Sequence, residues 1–134
     1  MNSRITGIAI FTLSMISASA QADAISELEA VYRTQGVSQF SASSGEALWK
    51  NDFVDSKSAE TRNCGSCHGA DLARAGKHNT TGKTIEPMAR SVNPERYSDT
   101  RKIEKWFLRN CKWTLGRECS AQEKGDVLAY LKSL

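Results

Sequence analysis

The chain has 134 residues, a length typical of a single domain. It contains 18 basic and 15 acidic residues, a formal charge of +3, and its lysines and arginines are spread along the sequence. Because the charge is nearly balanced and no basic cluster stands out, the composition does not favour nucleic acid or an anionic membrane surface as a partner.

Residues 1–20 have the features of a secretory signal peptide. Arg4 precedes an apolar run from Ile8 to Ile16, and small residues follow that run. The run is shorter than the roughly 20 residues that a membrane-spanning helix requires. Alanines at A-x-A spacing predict cleavage between residues 20 and 24. We therefore predict one domain over residues 21–134, exported to the periplasm, with no membrane anchor after cleavage.

The first part of this domain predicts two short helices. Residues 24–32 carry apolar side chains at helical spacing, and Gly36 ends the pattern. Residues 37–45 are rich in Ser and Gly and predict a linker. A second helix is expected over residues 46–50, with a Ser as its N-cap.

A haem-attachment motif follows at Cys64-Gly65-Ser66-Cys67-His68. Two thiols three positions apart on a helical turn can each bond a haem vinyl group, and the next imidazole can bind the iron. We predict one covalently bound haem c, attached through Cys64 and Cys67, with His68 as the proximal ligand. The alternatives are a thioredoxin-like redox pair, which needs a βαβ pattern that is absent, and a four-cysteine zinc site with Cys111 and Cys119.

The remainder of the chain predicts a loop and two more helices. Residues 69–94 hold both prolines and show no sustained periodicity, so we expect an ordered loop. A helix should begin after the N-cap Asp99 and continue to Gly116, and another should begin at the capping box of Ser120. No β alternation appears, so we predict an all-α fold around one haem, and the helix order resembles the class I cytochrome c-like helical fold.

Two further cysteines, Cys111 and Cys119, are predicted to form a disulfide. In an oxidising compartment an even remainder of cysteines usually pairs. The bond would close a loop over residues 111–119 and connect the last two helices.

The distal iron ligand decides what such a haem does, and spacing alone leaves it open. Class I cytochromes c, which this helix order resembles, usually take a Met from a loop well downstream of the attachment histidine. Met88 is the only Met of the predicted mature chain and lies 20 residues after His68. His78 lies ten residues after it, and Asn110 lies 42 residues after it, beside Cys111.

Six short segments resemble one known family. They are Cys67-His68-Gly69-Ala70-Asp71, Arg74-Ala75-Gly76, Thr81-Gly82-Lys83, Trp106-Phe107-Leu108-Arg109-Asn110-Cys111, Leu115-Gly116-Arg117-Glu118-Cys119 and Glu123-Lys124-Gly125-Asp126. They resemble the SHP (sphaeroides haem protein) family of oxygen-binding monohaem cytochromes c over nearly the whole predicted mature chain. The resemblance implies Asn110 as the distal ligand, a Cys111–Cys119 disulfide, and another cytochrome, by analogy a dihaem protein, as electron donor.

An amide ligand predicts redox-dependent binding. Its oxygen is a hard and weak donor that suits Fe(III) better than Fe(II), so reduction should loosen it and let a diatomic gas such as O₂ or NO bind. The alternative is a plain electron carrier with Met88 as a permanent ligand. A third interpretation is an oxygen or nitric-oxide reductase, for which the sequence supplies no dedicated proton path.

Overall fold

The computed structural model describes residues 23–134, so the predicted signal peptide over residues 1–20 lies outside the described residues. Two hairpins of two-residue strands and one 3₁₀ helix, Pro94–Tyr97, accompany the helices. The helices are α1 Ala24–Thr34, α2 Ala42–Lys50, α3 Gly65–His68, α4 Thr100–Thr114 and α5 Ala121–Lys132. This confirms the all-α class. Within residues 23–134 no helix is both long and apolar enough to cross a membrane.

The starts of α4 and α5 confirm the caps expected from the sequence. The Asp99 side chain accepts hydrogen bonds from the backbone N–H groups of Arg101 and Lys102. Ser120 and Glu123 form a reciprocal capping box at the start of α5. These bonds satisfy donors that a helix N-terminus otherwise leaves free.

Helix α2 begins at Ala42, four residues earlier than predicted. The last four residues of the predicted linker over residues 37–45 therefore belong to the helix, and this part of the prediction is wrong. The hydroxyl of Ser41 accepts from the N–H of Ser44, which caps the helix at Ala42. The backbone N–H of Ser41 donates to Oδ1 of Asp126 on α5 at 2.7 Å. A contact from a distant helix therefore sets the position of this start.

Helices α2 and α5 pack closely because glycines lie at their contact. A Cβ atom on Gly45 would overlap the carbonyl oxygen of Asp126, and one on Gly125 would overlap the Phe40 ring. The hydrophobic core forms around this contact and α1. It consists of Ala24, Ile25, Leu28, Tyr32, Val37, Trp49, Leu72, Tyr97, Ile103, Val127, Leu128 and Leu131.

Two antiparallel hairpins flank α3, and the second lies within residues 69–94, where the sequence predicted a loop. Strands β1 Phe53–Val54 and β2 Thr61–Arg62 pair before α3, and β3 Gly76–Lys77 and β4 Thr84–Ile85 pair after it. Strands of two residues are too short to show an alternating pattern, so the sequence could not indicate them.

The carboxylate of Glu104 joins three helices. Tyr32 of α1 is fully buried and donates its hydroxyl hydrogen to Glu104 of α4. Lys124 of α5 donates from Nζ to the other oxygen of Glu104 at 2.6 Å. The N-terminal half of α4 is thereby fixed to both neighbours.

Candidate functional site

The segment Asn63–His68 folds into one helical turn because Asn63 organises its start. Oδ1 of Asn63 accepts from the N–H of Ser66 at 2.8 Å, and Oγ of Ser66 accepts from the N–H of Asn63 at 3.1 Å. The Asn63 amide also donates to Oδ1 of Asp52 at 2.7 Å. This turn brings Cys64, Cys67 and His68 to one cleft.

Cys64 and Cys67 are free and half-buried. Burial raises the pKa of the Cys64 thiol to about 11. A thioredoxin-like pair needs a lowered thiol pKa, so this environment does not favour that alternative. The zinc alternative also lacks support, because residues 23–134 contain no cluster of three or more His, Cys, Asp or Glu suited to a metal ion.

The imidazole of His68 is held neutral. Burial, with a contribution from the charge of Arg96, lowers its pKa to about 4. A neutral imidazole is the form that binds metal ions. Its ring packs against the Trp49 indole, and its Nδ1 atom is buried without a hydrogen-bond partner in the described part of the chain.

The β3–β4 hairpin supports the attachment turn from outside the cleft. A Cβ atom on Gly76 would overlap the carbonyl oxygen of Cys67, so only glycine allows this approach. His78 lies in the hairpin turn, where its Nδ1 atom accepts from the N–H groups of Thr80 and Thr81. It is exposed and does not line the cleft.

Helix α4 forms the opposite wall of the cleft and brings Asn110 to it. The cleft is lined by Trp49, Asn63, Cys64, Cys67, His68, Asn110, Trp113 and Thr114. Residues 42 positions apart in sequence, His68 and Asn110, therefore line the same space. Immediately after Asn110, the buried Cys111 forms a disulfide with Cys119, which connects α4 to the segment before α5.

Met88 has a different environment. Its side chain is partly buried and packs against the hydrophobic core, and its backbone N–H donates to the carbonyl of Leu72 at 2.9 Å. Tyr97 donates its hydroxyl hydrogen to the Met88 carbonyl at 2.7 Å. Met88 does not line the cleft that contains His68.

Two tryptophans of the cleft were missed from the sequence. The sequence did not identify Trp49 or Trp113 as a site residue. Trp113 lies three residues after Asn110, so helical spacing alone could have placed the two on one side of α4. No sequence signal connects Trp49 to His68, because the contact depends on how α2 packs.

The cleft fits a covalently attached haem. Two thiols and a neutral imidazole line it, together with the rings of Trp49 and Trp113, which can pack on a flat apolar ring system. The indole Nε1 of Trp49 and the Nδ1 of His68 are buried donors or acceptors without partners among residues 23–134. Buried polar atoms normally have partners, so these two indicate that the protein chain alone does not complete the site.

Comparisons with known proteins agree with this chemistry. A family described as a domain of unknown function, DUF1924, matches residues 35–131. Cytochrome c-type protein SHP of Cereibacter sphaeroides is 41% identical over 105 residues, which are 78% of this chain and 80% of that protein. Cytochrome c'' of Methylophilus methylotrophus is 34% identical over an alignment of 134 positions, which covers 94% of this chain and 92% of that protein.

Solved structures show the same similarity. Oxidised SHP, an oxygen-binding cytochrome c, matches with a TM-score of 0.75 and 39% identity, over 82% of this chain and 96% of that one. Oxidised cytochrome c'' of Methylophilus methylotrophus matches with a TM-score of 0.70 and 31% identity, over 82% and 94%. A solution structure of cytochrome c'', which addresses haem-ligand detachment, matches with a TM-score of 0.68, 31% identity and coverages of 82% and 93%.

Proposed function

The chain belongs to the SHP family of monohaem c-type cytochromes and carries one covalently bound haem c, and on this basis we propose that it binds a diatomic gas in a redox-dependent way. Cys64 and Cys67 hold the haem through thioethers, and His68 is the proximal ligand. Asn110 is the distal ligand in the ferric state and leaves on reduction, so that O₂ or NO can bind. The bound haem supplies an iron that changes oxidation state and accepts an axial ligand.

One observation carries this proposal: Asn110 lines the same cleft as His68, Cys64 and Cys67, whereas Met88 does not. Asn110 lies in α4 directly before a disulfide-bonded cysteine, so its backbone is held in place. Its side chain is free to rotate about two torsions. A ligand that can leave without unfolding a loop suits reversible exchange with an external molecule.

The amide oxygen of Asn110 explains the dependence on redox state. It is a neutral, hard donor, which binds Fe(III) acceptably and the softer Fe(II) weakly. A thioether would do the opposite and keep external ligands out. Two relatives support this behaviour: SHP is described as oxygen-binding, and the work on cytochrome c'' concerns detachment of a haem ligand.

The alternative, a plain electron carrier with Met88 as a permanent ligand, is less consistent with the geometry. The Met88 backbone is bonded on both sides, to Leu72 and Tyr97, and its side chain belongs to the core. Moving it to the cleft would break these contacts and remove apolar surface from the core.

Addition of CO to the reduced holoprotein tests the proposal. We expect the haem absorption bands to shift, because Fe(II) without a strong distal ligand binds CO. Asn110→Ala should change the ferric absorption spectrum, and Met88→Ala, the matched control, should retain the wild-type spectrum. Unchanged bands with CO, or a changed ferric spectrum only in Met88→Ala, would contradict the proposal.

The setting of this activity is the periplasm, and the electron donor is another cytochrome, by analogy a dihaem c-type protein. The predicted signal peptide supports export, and thioether attachment and a disulfide suit an oxidising compartment. Reduction of the purified protein by a dihaem cytochrome c in stopped-flow measurements would test the donor. A rate no faster than that of an unrelated small reductant would speak against it.

A further inference from the structure

The guanidinium of Arg62 joins the segment before the attachment motif to α4. Its Nη1 atom donates to the carbonyl oxygen of Trp113 at 3.1 Å, and its Cζ atom lies 4.7 Å from the centroid of the Trp113 ring. A guanidinium can combine such contacts because its donors lie in its plane and its face can stack on an aromatic ring. Arg62 lies two residues before Cys64, and Trp113 lies three residues after Asn110.

Two carboxylates from the β1–β2 hairpin fix the same guanidinium. Oδ2 of Asp55 accepts from Nη1 of Arg62 at 2.8 Å, and Oε2 of Glu60 accepts from Nη2 at 2.9 Å. Asp55 is itself oriented, because its Oδ1 atom accepts from the N–H groups of Lys57 and Ser58.

Burial distinguishes the Arg62–Asp55 pair from a surface ion pair, whereas Glu60 is 66% exposed. Only 16% of the Arg62 side chain is exposed, and only 22% of Asp55. Solvent and salt screen such a pair less than a fully exposed one. Charge-assisted hydrogen bonds with fixed geometry are also stronger than neutral ones. Arg62 therefore holds a defined position between the hairpin and the end of α4.

Because Arg62 holds Trp113 in place, it also restricts the position of Asn110. Residues three apart are neighbours on a helix, and both side chains line the cleft with Cys64, Cys67 and His68. The last turn of α4 therefore has two attachments: the disulfide on its buried side and the Arg62 contact at Trp113. Together they restrict rotation of this turn about the helix axis.

We propose that Arg62 is a positioning residue that acts through Trp113 to hold Asn110 where it binds the haem iron. This inference rests on the proposed function, in which Asn110 is the distal ligand. Without Arg62 the thioether attachment at Cys64 and Cys67 remains, but Asn110 occupies its ligand position less of the time. An external ferric ligand then competes with it more easily.

The test compares Arg62→Ala and Arg62→Lys with Lys112→Ala in the ferric holoprotein. Lys112 is the matched control, because it forms an exposed pair with Glu118 at 3.1 Å near the same turn of α4. The readouts are the ferric absorption spectrum and the affinity for added imidazole, which must displace Asn110. We expect the imidazole affinity to rise about tenfold in Arg62→Ala, the scale of one charge-assisted contact.

The remaining variants distinguish failure of the role of Arg62 from failure of the proposed function. Arg62→Lys keeps the charge but lacks the planar fork, so it should restore the wild-type values only in part. Lys112→Ala should match the wild type. Wild-type spectra and imidazole affinity in Arg62→Ala, with altered values in Asn110→Ala, would overturn the role of Arg62 alone. Unaltered values in Asn110→Ala would overturn this inference and the proposed function together.

Should Arg62→Ala fail to yield folded holoprotein, Arg62→Lys and Trp113→Leu decide the question. Each keeps most of the apolar volume at its position. A higher imidazole affinity than the wild type in both variants supports the inference, whereas wild-type affinity in both overturns it.

Discussion

The rings of Trp49 and His68 lie 5.2 Å apart between centroids, with their planes inclined by 47°. Trp49 is only 7% exposed, and its other side faces Tyr130 of α5, with the centroids 6.2 Å apart in an edge-to-face arrangement. The imidazole is therefore positioned by a residue that belongs to the α2–α5 contact. Packing of the two helices and orientation of the His68 ring therefore depend on one side chain.

Truncation of Trp49 should destabilise the holoprotein. We expect Trp49→Ala to lower the free energy of unfolding by about 3–5 kcal/mol, because it removes a buried aromatic side chain and leaves a cavity. Guanidinium-induced unfolding followed by far-UV circular dichroism measures this. Val54→Ala, at a position 69% exposed, should stay within about 0.5 kcal/mol of the wild type. A loss below about 1 kcal/mol in Trp49→Ala would refute the expected role.

A side chain at Gly45 should disturb the α2–α5 contact. The added Cβ would overlap the backbone oxygen of Asp126, which cannot move away as a flexible side chain can. Gly45→Ala should therefore cost about 1–3 kcal/mol or more, despite the better helix propensity of Ala. Ser44→Ala, at the neighbouring exposed position, is the control. Thermal unfolding would contradict the structure if Gly45→Ala were as stable as this control.

Protonation of Glu123 should contribute to the loss of folding stability in acid. The side-chain hydrogen bond from Arg117 is the largest cause that lowers the pKa of Glu123 to about 2, against about 4.5 for an unperturbed group. Because the folded-state pKa is the lower one, the stabilisation is complete above pH 4.5 and is lost as the pH falls towards 2. Urea unfolding across this range should show a smaller decline in Glu123→Gln. An identical decline in both proteins would exclude this contribution.

Removal of the disulfide should lower the free energy of unfolding, because the unfolded chain gains conformational freedom. The Cys111–Cys119 bond closes a loop over residues 111–119, for which the chain-entropy relation gives roughly 2.5 kcal/mol. We expect Cys111→Ser combined with Cys119→Ser to lower the unfolding free energy by about that amount. Chemical denaturation of the double variant and the wild type tests it, and equal midpoints would show that the bond does not contribute.

Local chemistry explains which helix ends the sequence could predict. Asp99 and Ser120 cap their helices through hydrogen bonds to residues two or three positions away, so the signal is complete within a short segment. The start of α2 is also capped locally, by Ser41, but residues 37–45 contain several serines, and the contact that distinguishes Ser41 is its bond to Asp126, 85 residues away. No window along the chain contains both residues, and the predicted start was therefore wrong.

The cleft residues also divide into those that local sequence could predict and those that depend on distant contacts. The spacing of Cys64, Cys67 and His68 is enough to indicate haem attachment. The one-turn helix that carries these residues follows from local hydrogen bonds of Asn63. Asn110 could be singled out only through a family resemblance, because nothing in an amide side chain marks it as an iron ligand. The contact between Arg62 and Trp113 spans 51 residues and became visible only in the folded chain.

The bonds of Glu104 to α1 and α5 limit how helix α4, which carries Asn110, can move. Helix α4 is bonded to α1 and α5 near its start and is covalently connected through Cys111 near its end. A sliding or tilting motion of the whole helix would have to break one of these attachments. Under the proposed function, Asn110 therefore exchanges by side-chain rotation, which takes picoseconds to nanoseconds in exposed residues. Occupancy of the distal position should respond to redox state with little rearrangement of the backbone.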